Sequence, residues 1–417
     1  MAKTEKEHVI NISDHLYDAS RSIRILRSVA WSSSIKEEFF RQKCEVLPKV
    51  TYPTIDPTET LQKIDLARRQ IPKDFRFENW ANQIADILDN SSRLLSSMGT
   101  KDFYTYSRRL YGAPMDKIPD EQNTSLDLAN HFEEMYVNIQ KLDIGAASEA
   151  TFDDKAMQAK ILTEVAAMFG EDAPKVIIDK EVSSKVIAGR QRIRIREGAM
   201  FSDMDLNQLV HHEAFIHVAT SLNGHSQTDL KILSASHPGT TKTQEGLAVF
   251  AEYITGNLDL DRLRRLSDRI IAIQMGIDGA DFIDLYRFYL TKTDRPSDAY
   301  ENARRVCRGG VITGGAPFTK DIVYLDGLLN VHNFLRTVVS DGRADLLPML
   351  FVGKLNIEDI AEMMQFQKLG LLKPAKYLPP WIKDIRFLLT YLAYSSFLNE
   401  IKLKNMKKYY RKMLDEL

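Results

Sequence analysis

The chain has 417 residues, 44% of them hydrophobic and 27% charged, with a formal net charge of −1. That balance describes an ordinary globular protein and excludes the basic excess through which nucleic-acid binders hold phosphates. Cys44 and Cys307 are the only cysteines and stand far apart, which rules out a disulfide framework and fits a reducing, cytoplasmic setting.

Met1 to Val9 lacks the apolar core of a signal peptide. Residues 13–42 read as one helix with Ser13 as its cap, followed by a connector carrying Pro48, Pro53 and Pro57. Asp56-Pro57-Thr58-Glu59 is a helix-start signal, with Asp at the cap and Pro at the first position. Helical patterns continue over 79–98, 101–111, 125–142 and 152–169. The β signal comes next: Lys175–Asp179 as a strand, then a hairpin over 184–197 turning near Ala188-Gly189. In its second arm the alternation puts Arg192, Arg194 and Arg196 on one face, where Arg194 is a candidate for meeting a substrate carboxylate. A charge-blunted edge strand is the plainer reading.

Ser202 caps the next helix, with Asp203 and Asp205 in its first turn and Asn223-Gly224 as its stop. Five of the nine histidines lie between positions 211 and 237, a clustering that points to metal chemistry. A catalytic zinc takes three imidazole or carboxylate ligands and keeps a fourth position open. His212 and His217 are candidates for two of them, Glu245 for the third, and Glu213 for the base beside the metal. In the usual H-E-x-x-H the histidines are four apart and share a helix face. Here they are five apart, about 140° around a regular α-helix. The metal reading therefore requires a π-type turn between Glu213 and His217. Pairing His211 with His217 fits a regular helix no better. A second helix over 244–256 carries Glu245 and, two turns on, Glu252, a candidate to orient a ligand imidazole. Gly246 leaves room beside Glu245 for a backbone or for substrate.

Further helices follow over 259–275, 279–290 and 297–307, then a glycine-rich loop over 309–317 and a helix over 319–339. The loop lacks phosphate-binding spacing. Residues 343–417 read as more helices broken by Pro374 and Pro379-Pro380. The longest uncharged apolar-rich run, Phe387 to Leu398, is too short to span a bilayer. The tail from Lys402 to Lys412 is basic and amphipathic, which ordinarily means a solvated face.

His212-Glu213 to His217, Asn223-Gly224 and Thr243-Gln244-Glu245-Gly246-Leu247-Ala248 together resemble the gluzincin metallopeptidases. The nearer resemblance is to the family of microtubule-associated tyrosine carboxypeptidases and bacterial QEGLA-motif proteins. Arg308-Gly309-Gly310, Gly314 to Asp321 and Tyr324-Leu325 resemble that family's downstream block, and the likeness covers about Ala150 to Ser340. It implies a mainly α (α+β) fold: a zincin-like core over 151–417 with a small mixed sheet before the metal helix, preceded by a helical region over 1–150. It also implies a zinc peptidase acting near the C-terminus of a peptide or protein. Such an enzyme needs a cation for the terminal carboxylate, for which Arg308 and Lys320 are candidates, and an oxyanion donor, for which Tyr324 is one. A metal-dependent amidase on a small substrate and a regulatory metal-binding protein without turnover remain alternatives.

Overall fold

The computed structural model describes residues 2–119, 122–139, 149–180, 182 and 184–414. Helices dominate, and among the described residues none is long and apolar enough to cross a membrane. The first long helix, α1 (Ala2–Ser20), is followed by a four-residue turn at Ile25–Ser28 and by α2 (Ser33–Arg41). The single helix expected over 13–42 is thus three pieces. Ser13 is no cap: it is buried mid-helix, and its hydroxyl accepts the N–H of Ile232, 3.2 Å away. Helices α3 (Thr58–Arg69), α4 (Glu78–Ser96), α5 (Asp102–Tyr111), α6 (Ser125–Ile139) and α7 (Asp154–Phe169) lie close to their expected limits. Part of the expected end of α6, residues 140–142, falls outside the described residues.

Three strands follow, β1 (Lys175–Asp179), β2 (Val186–Ala188) and β3 (Arg192–Arg196), in the order β1-β3-β2. β1 runs parallel to β3 and β2 antiparallel to it, so the sheet is small and mixed. The arginine-bearing arm is the central strand rather than an edge. β2 is the edge that lies against the metal helix.

That helix, α8, runs unbroken as α-helix Asp203–Leu209, π-helix Val210–Val218 and α-helix Ala219–Ser226. Ser202 and Asp205 close a reciprocal capping box at its start. Asn223-Gly224 does not end it. The Asn223 amide donates to the carbonyls of Phe351 and Tyr377, both at 2.7 Å, and accepts the N–H groups of Lys376 and Tyr377. A Cβ on Gly224 would sit 2.3 Å from the Leu233 carbonyl oxygen. The dipeptide therefore serves close packing, where a turn signal would have stopped the helix.

Helix α9 (Pro238–Ile254) begins six residues before the expected 244, because Pro238 at its first position costs no backbone donor. The chain continues through α10 (Leu260–Ile277), α11 (Phe282–Leu290), α12 (Pro296–Cys307) and a 3₁₀ turn, Thr319–Ile322, that leads into α13 (Val323–Ser340). Helices α9 and α13 cross where Gly246 meets Gly327; a Cβ on Gly246 would lie 2.3 Å from the Gly327 carbonyl oxygen. The room beside Glu245 is thus taken by backbone. After a 3₁₀ stretch at Ala344–Phe351 come α14 (Ile360–Lys368), α15 (Arg386–Glu400) and α16 (Leu403–Leu414).

Helix α8 lies between two apolar cores. Ile216 joins one with Ile12 and Leu16 of α1, Trp80 of α4, Leu247 and Phe250 of α9, and Leu335 of α13. Val210, Phe215 and Val218 join the other with Ile161 and Val165 of α7 and with Ile193 and Ile195 of β3. Burial on opposite sides holds the helix in one rotation, and that rotation aims His212 and His217 at α9.

Candidate metal centre

The π segment closes its turns through i→i+5 hydrogen bonds, so residues five apart come to lie one above the other. His212 and His217 are such a pair, with ring centroids 5.0 Å apart. Across from them, Glu245 Oε2 lies 3.5 Å from His212 Nε2 and 3.5 Å from His217 Nε2. All three ligand atoms fall within 4.8 Å of one another. Those separations exceed the usual 2.7–3.2 Å of an N–H···O bond. Around a tetrahedral zinc with bonds of about 2.0–2.2 Å, ligand atoms stand roughly 3.3–3.5 Å apart. The residues are therefore spaced as co-ligands of one ion and fit such a cation.

His212 Nδ1 contacts Glu252 Oε1 at 2.6 Å, which leaves Nε2 for the centre. Glu252 is fully buried and is gripped by the Arg262 fork, with Nε donating at 2.9 Å and Nη2 at 3.0 Å. Burial pushes the Glu252 carboxyl up, but Arg262 and His212 outweigh it and bring it down to about 2. Burial likewise pushes His212 down, and Glu245 and Glu252 reverse this and hold it up at about 10. Replacing Glu252 with Gln is expected to lower metal affinity about 10- to 100-fold in a chelator competition, since the imidazole loses its charged anchor. Unchanged affinity would show that Glu252 does not orient the ligand.

Glu213 stands apart from the converging set. Its Oε2 accepts the Ala188 N–H of β2 at 2.9 Å, so the sheet edge fixes this carboxylate beside the centre. His211 turns away: its ring packs edge-on to Phe215, 5.2 Å between centroids, and burial lowers its basicity. It is not among the side chains that converge with His217 and Glu245.

Lys320 and Tyr324 adjoin the centre. Lys320 is buried, with Nζ 3.3 Å from Glu245 Oε1 and 5.1 Å above the Tyr324 ring. The Arg269 guanidinium lies 4.6 Å over the same ring, and Arg305 forks onto Asp321 while Nη2 reaches the Tyr324 hydroxyl at 3.4 Å. Arg308 stacks over Phe318 at 5.8 Å, and burial beside Arg305 brings it down to about 10. Among the described residues, Arg269 and Arg305 pair with Asp321 and Lys320 with Glu245, while Arg308 pairs with no carboxylate. Arg269 Nη1 and Arg308 Nε are buried without a hydrogen-bond partner among the described residues. Arg194 is half exposed on β3 and paired with Asp179 at 3.6 Å.

Sequence reasoning passed over Arg262, Arg269, Arg305 and Asp321. The available signal was Arg262, Arg265 and Arg269 recurring at helical spacing on α10, a pattern that usually marks a solvated face.

Two imidazoles on one helix, a carboxylate from the next that could hold a metal ion with them, and a small mixed sheet alongside define a zincin-like fold and support a metal-dependent hydrolase. The profile of the microtubule-associated tyrosine carboxypeptidase family matches residues 37–400, and the chain belongs to that family. Among curated proteins none matches it.

Proposed function

We propose that the chain is a zinc carboxypeptidase that removes the C-terminal residue, tyrosine for preference, from a peptide or protein. The observation that carries this reading is the cationic cluster around Tyr324, where Lys320 lies 3.3 Å from Glu245 and the buried Arg269 Nη1 and Arg308 Nε have no hydrogen-bond partner among the described residues. A buried, unpaired Arg donor costs stability unless a ligand satisfies it, and a carboxylate does so with matching geometry. A terminal carboxylate held there sets the last peptide bond over the metal centre.

His212, His217 and Glu245 would hold the ion, which supplies Lewis acidity at the scissile carbonyl and activates water. Glu213 takes the proton of the attacking water and returns it to the leaving amine; its bond to Ala188 keeps it in place for both transfers. Arg308 and Arg269 bind the terminal carboxylate. Lys320 neutralises Glu245 and, with Tyr324, offers a donor to the developing oxyanion.

Protein purified without added metal is expected to carry about one zinc per chain, and His217→Ala to lose it together with activity. Peptides ending in a free tyrosine should be trimmed by one residue, and C-terminally amidated versions spared by at least about 100-fold, since they offer no carboxylate. Equal cleavage of acid and amide would overturn the carboxypeptidase reading while leaving a metal peptidase. Metal without cleavage of any peptide would favour a small-molecule amidase.

A further inference from the structure

The C-terminal helix α16 lies beyond the residues matched to the family, and its described side chains are exposed along its length. At about 100° per residue, Lys404, Lys407, Lys408, Arg411 and Lys412 fall on one side of it. Leu403, Met406, Tyr409 and Tyr410 fall on the other, exposed by 64%, 38%, 67% and 52%. None of the basic side chains forms an ion pair among the described residues. The preceding helix, α15, adds Phe387, Tyr394 and Phe397, each more than half exposed. A chain with a net charge of −1 has therefore gathered six basic residues between 402 and 412, without an acidic one, beside an uncovered aromatic surface.

We propose that α16 is an interfacial helix that docks the protein on an anionic lipid surface, its apolar side among the acyl chains and its lysines at the headgroup phosphates. Segregation of lysine from aromatic side chains is the pattern by which a helix lies in a membrane interface. Charge complementarity sets the sign of the surface, and lysine, a point charge without arginine's planar fork, suits mobile headgroups. The apolar side chains form an open surface, with Tyr409 edge-on to Tyr410 at 5.1 Å between ring centroids. A fluid bilayer accepts such a surface, whereas a folded acidic protein would need a matching shape.

The test is flotation of the full chain with phosphatidylcholine vesicles containing or lacking about 30% phosphatidylglycerol, at low and high salt. Binding to the anionic vesicles is expected to exceed that to neutral ones by at least about tenfold and to fall with salt. A variant with Lys404, Lys407, Lys408 and Lys412 changed to Glu should lose it. Tyr409→Ser with Tyr410→Ser, which keeps the charge, should weaken it about tenfold. Metal content and peptide hydrolysis should not change in either variant. Absence of vesicle binding, binding indifferent to charge reversal, or capture by soluble polyglutamate in place of vesicles would each overturn the proposal. Concentration-dependent self-association abolished by Tyr409→Ser, without vesicle binding, would assign the apolar side to a second copy of the chain instead.

Discussion

Glu213→Gln is expected to keep the metal and lose hydrolysis, with kcat falling about 10²- to 10⁴-fold, the usual contribution of a positioned base. The reason is local. Glu213 accepts the Ala188 N–H through Oε2, and the amide oxygen of Gln accepts the same bond, so the side chain stays where it is. What Gln cannot do is take a proton. The ligands His212, His217 and Glu245 are untouched, so metal content should equal that of the parent. The pair of measurements separates this variant from His217→Ala, which should lose metal and activity together. A Glu213→Gln variant turning over peptide within a few-fold of the parent would place the proton acceptor elsewhere.

Gly246→Ala is expected to destabilise the whole protein. Its Cβ would stand 2.3 Å from the carbonyl oxygen and 2.4 Å from the carbonyl carbon of Gly327, and neither atom belongs to a side chain that can rotate away. In the other direction, a Cβ on Gly327 would meet the Lys242 carbonyl oxygen at 2.4 Å. Helices α9 and α13 must therefore move apart. Alanine's higher helix propensity returns about 1 kcal/mol, but overpacking typically costs about 1–3 kcal/mol and more where backbone opposes backbone. Against a total stability of about 5–15 kcal/mol, a net loss of even 2 is readily measured as a lower denaturant midpoint. Since Glu245 is the neighbouring residue, metal affinity should fall as well. Unfolding the metal-free forms of both proteins distinguishes the clash from lost metal binding. A metal-free Gly246→Ala variant as stable as its parent would show that the crossing is looser than drawn.

Local patterns failed where a residue that ordinarily shapes the backbone served a distant partner instead. Ser13 has the chemistry of a cap, yet its hydroxyl receives the Ile232 N–H. Asn223-Gly224 spells a helix stop, yet Asn223 holds two segments more than 120 residues away and Gly224 admits the Leu233 carbonyl. The Arg262 and Arg269 pattern fits water as well as it fits a buried carboxylate, and neighbouring residues alone cannot separate the two.

The π turn shows the opposite case. Five-residue spacing is incompatible with a shared ion on a regular helix, so the spacing itself demanded the local widening at Val210–Val218. By itself, then, the sequence determined the mainly helical class, the strand and hairpin before the metal helix, and the candidates His212, His217 and Glu245, because periodicity and ligand spacing are local properties. Only the tertiary structure decided that Glu252 and Arg262 stand behind His212, that Glu213 leans on the sheet edge, and that arginines from α10 and α12 gather around Tyr324 and Asp321. Those relations depend on which helices cross and at what rotation, and that is set by burial and backbone contact between segments remote along the chain.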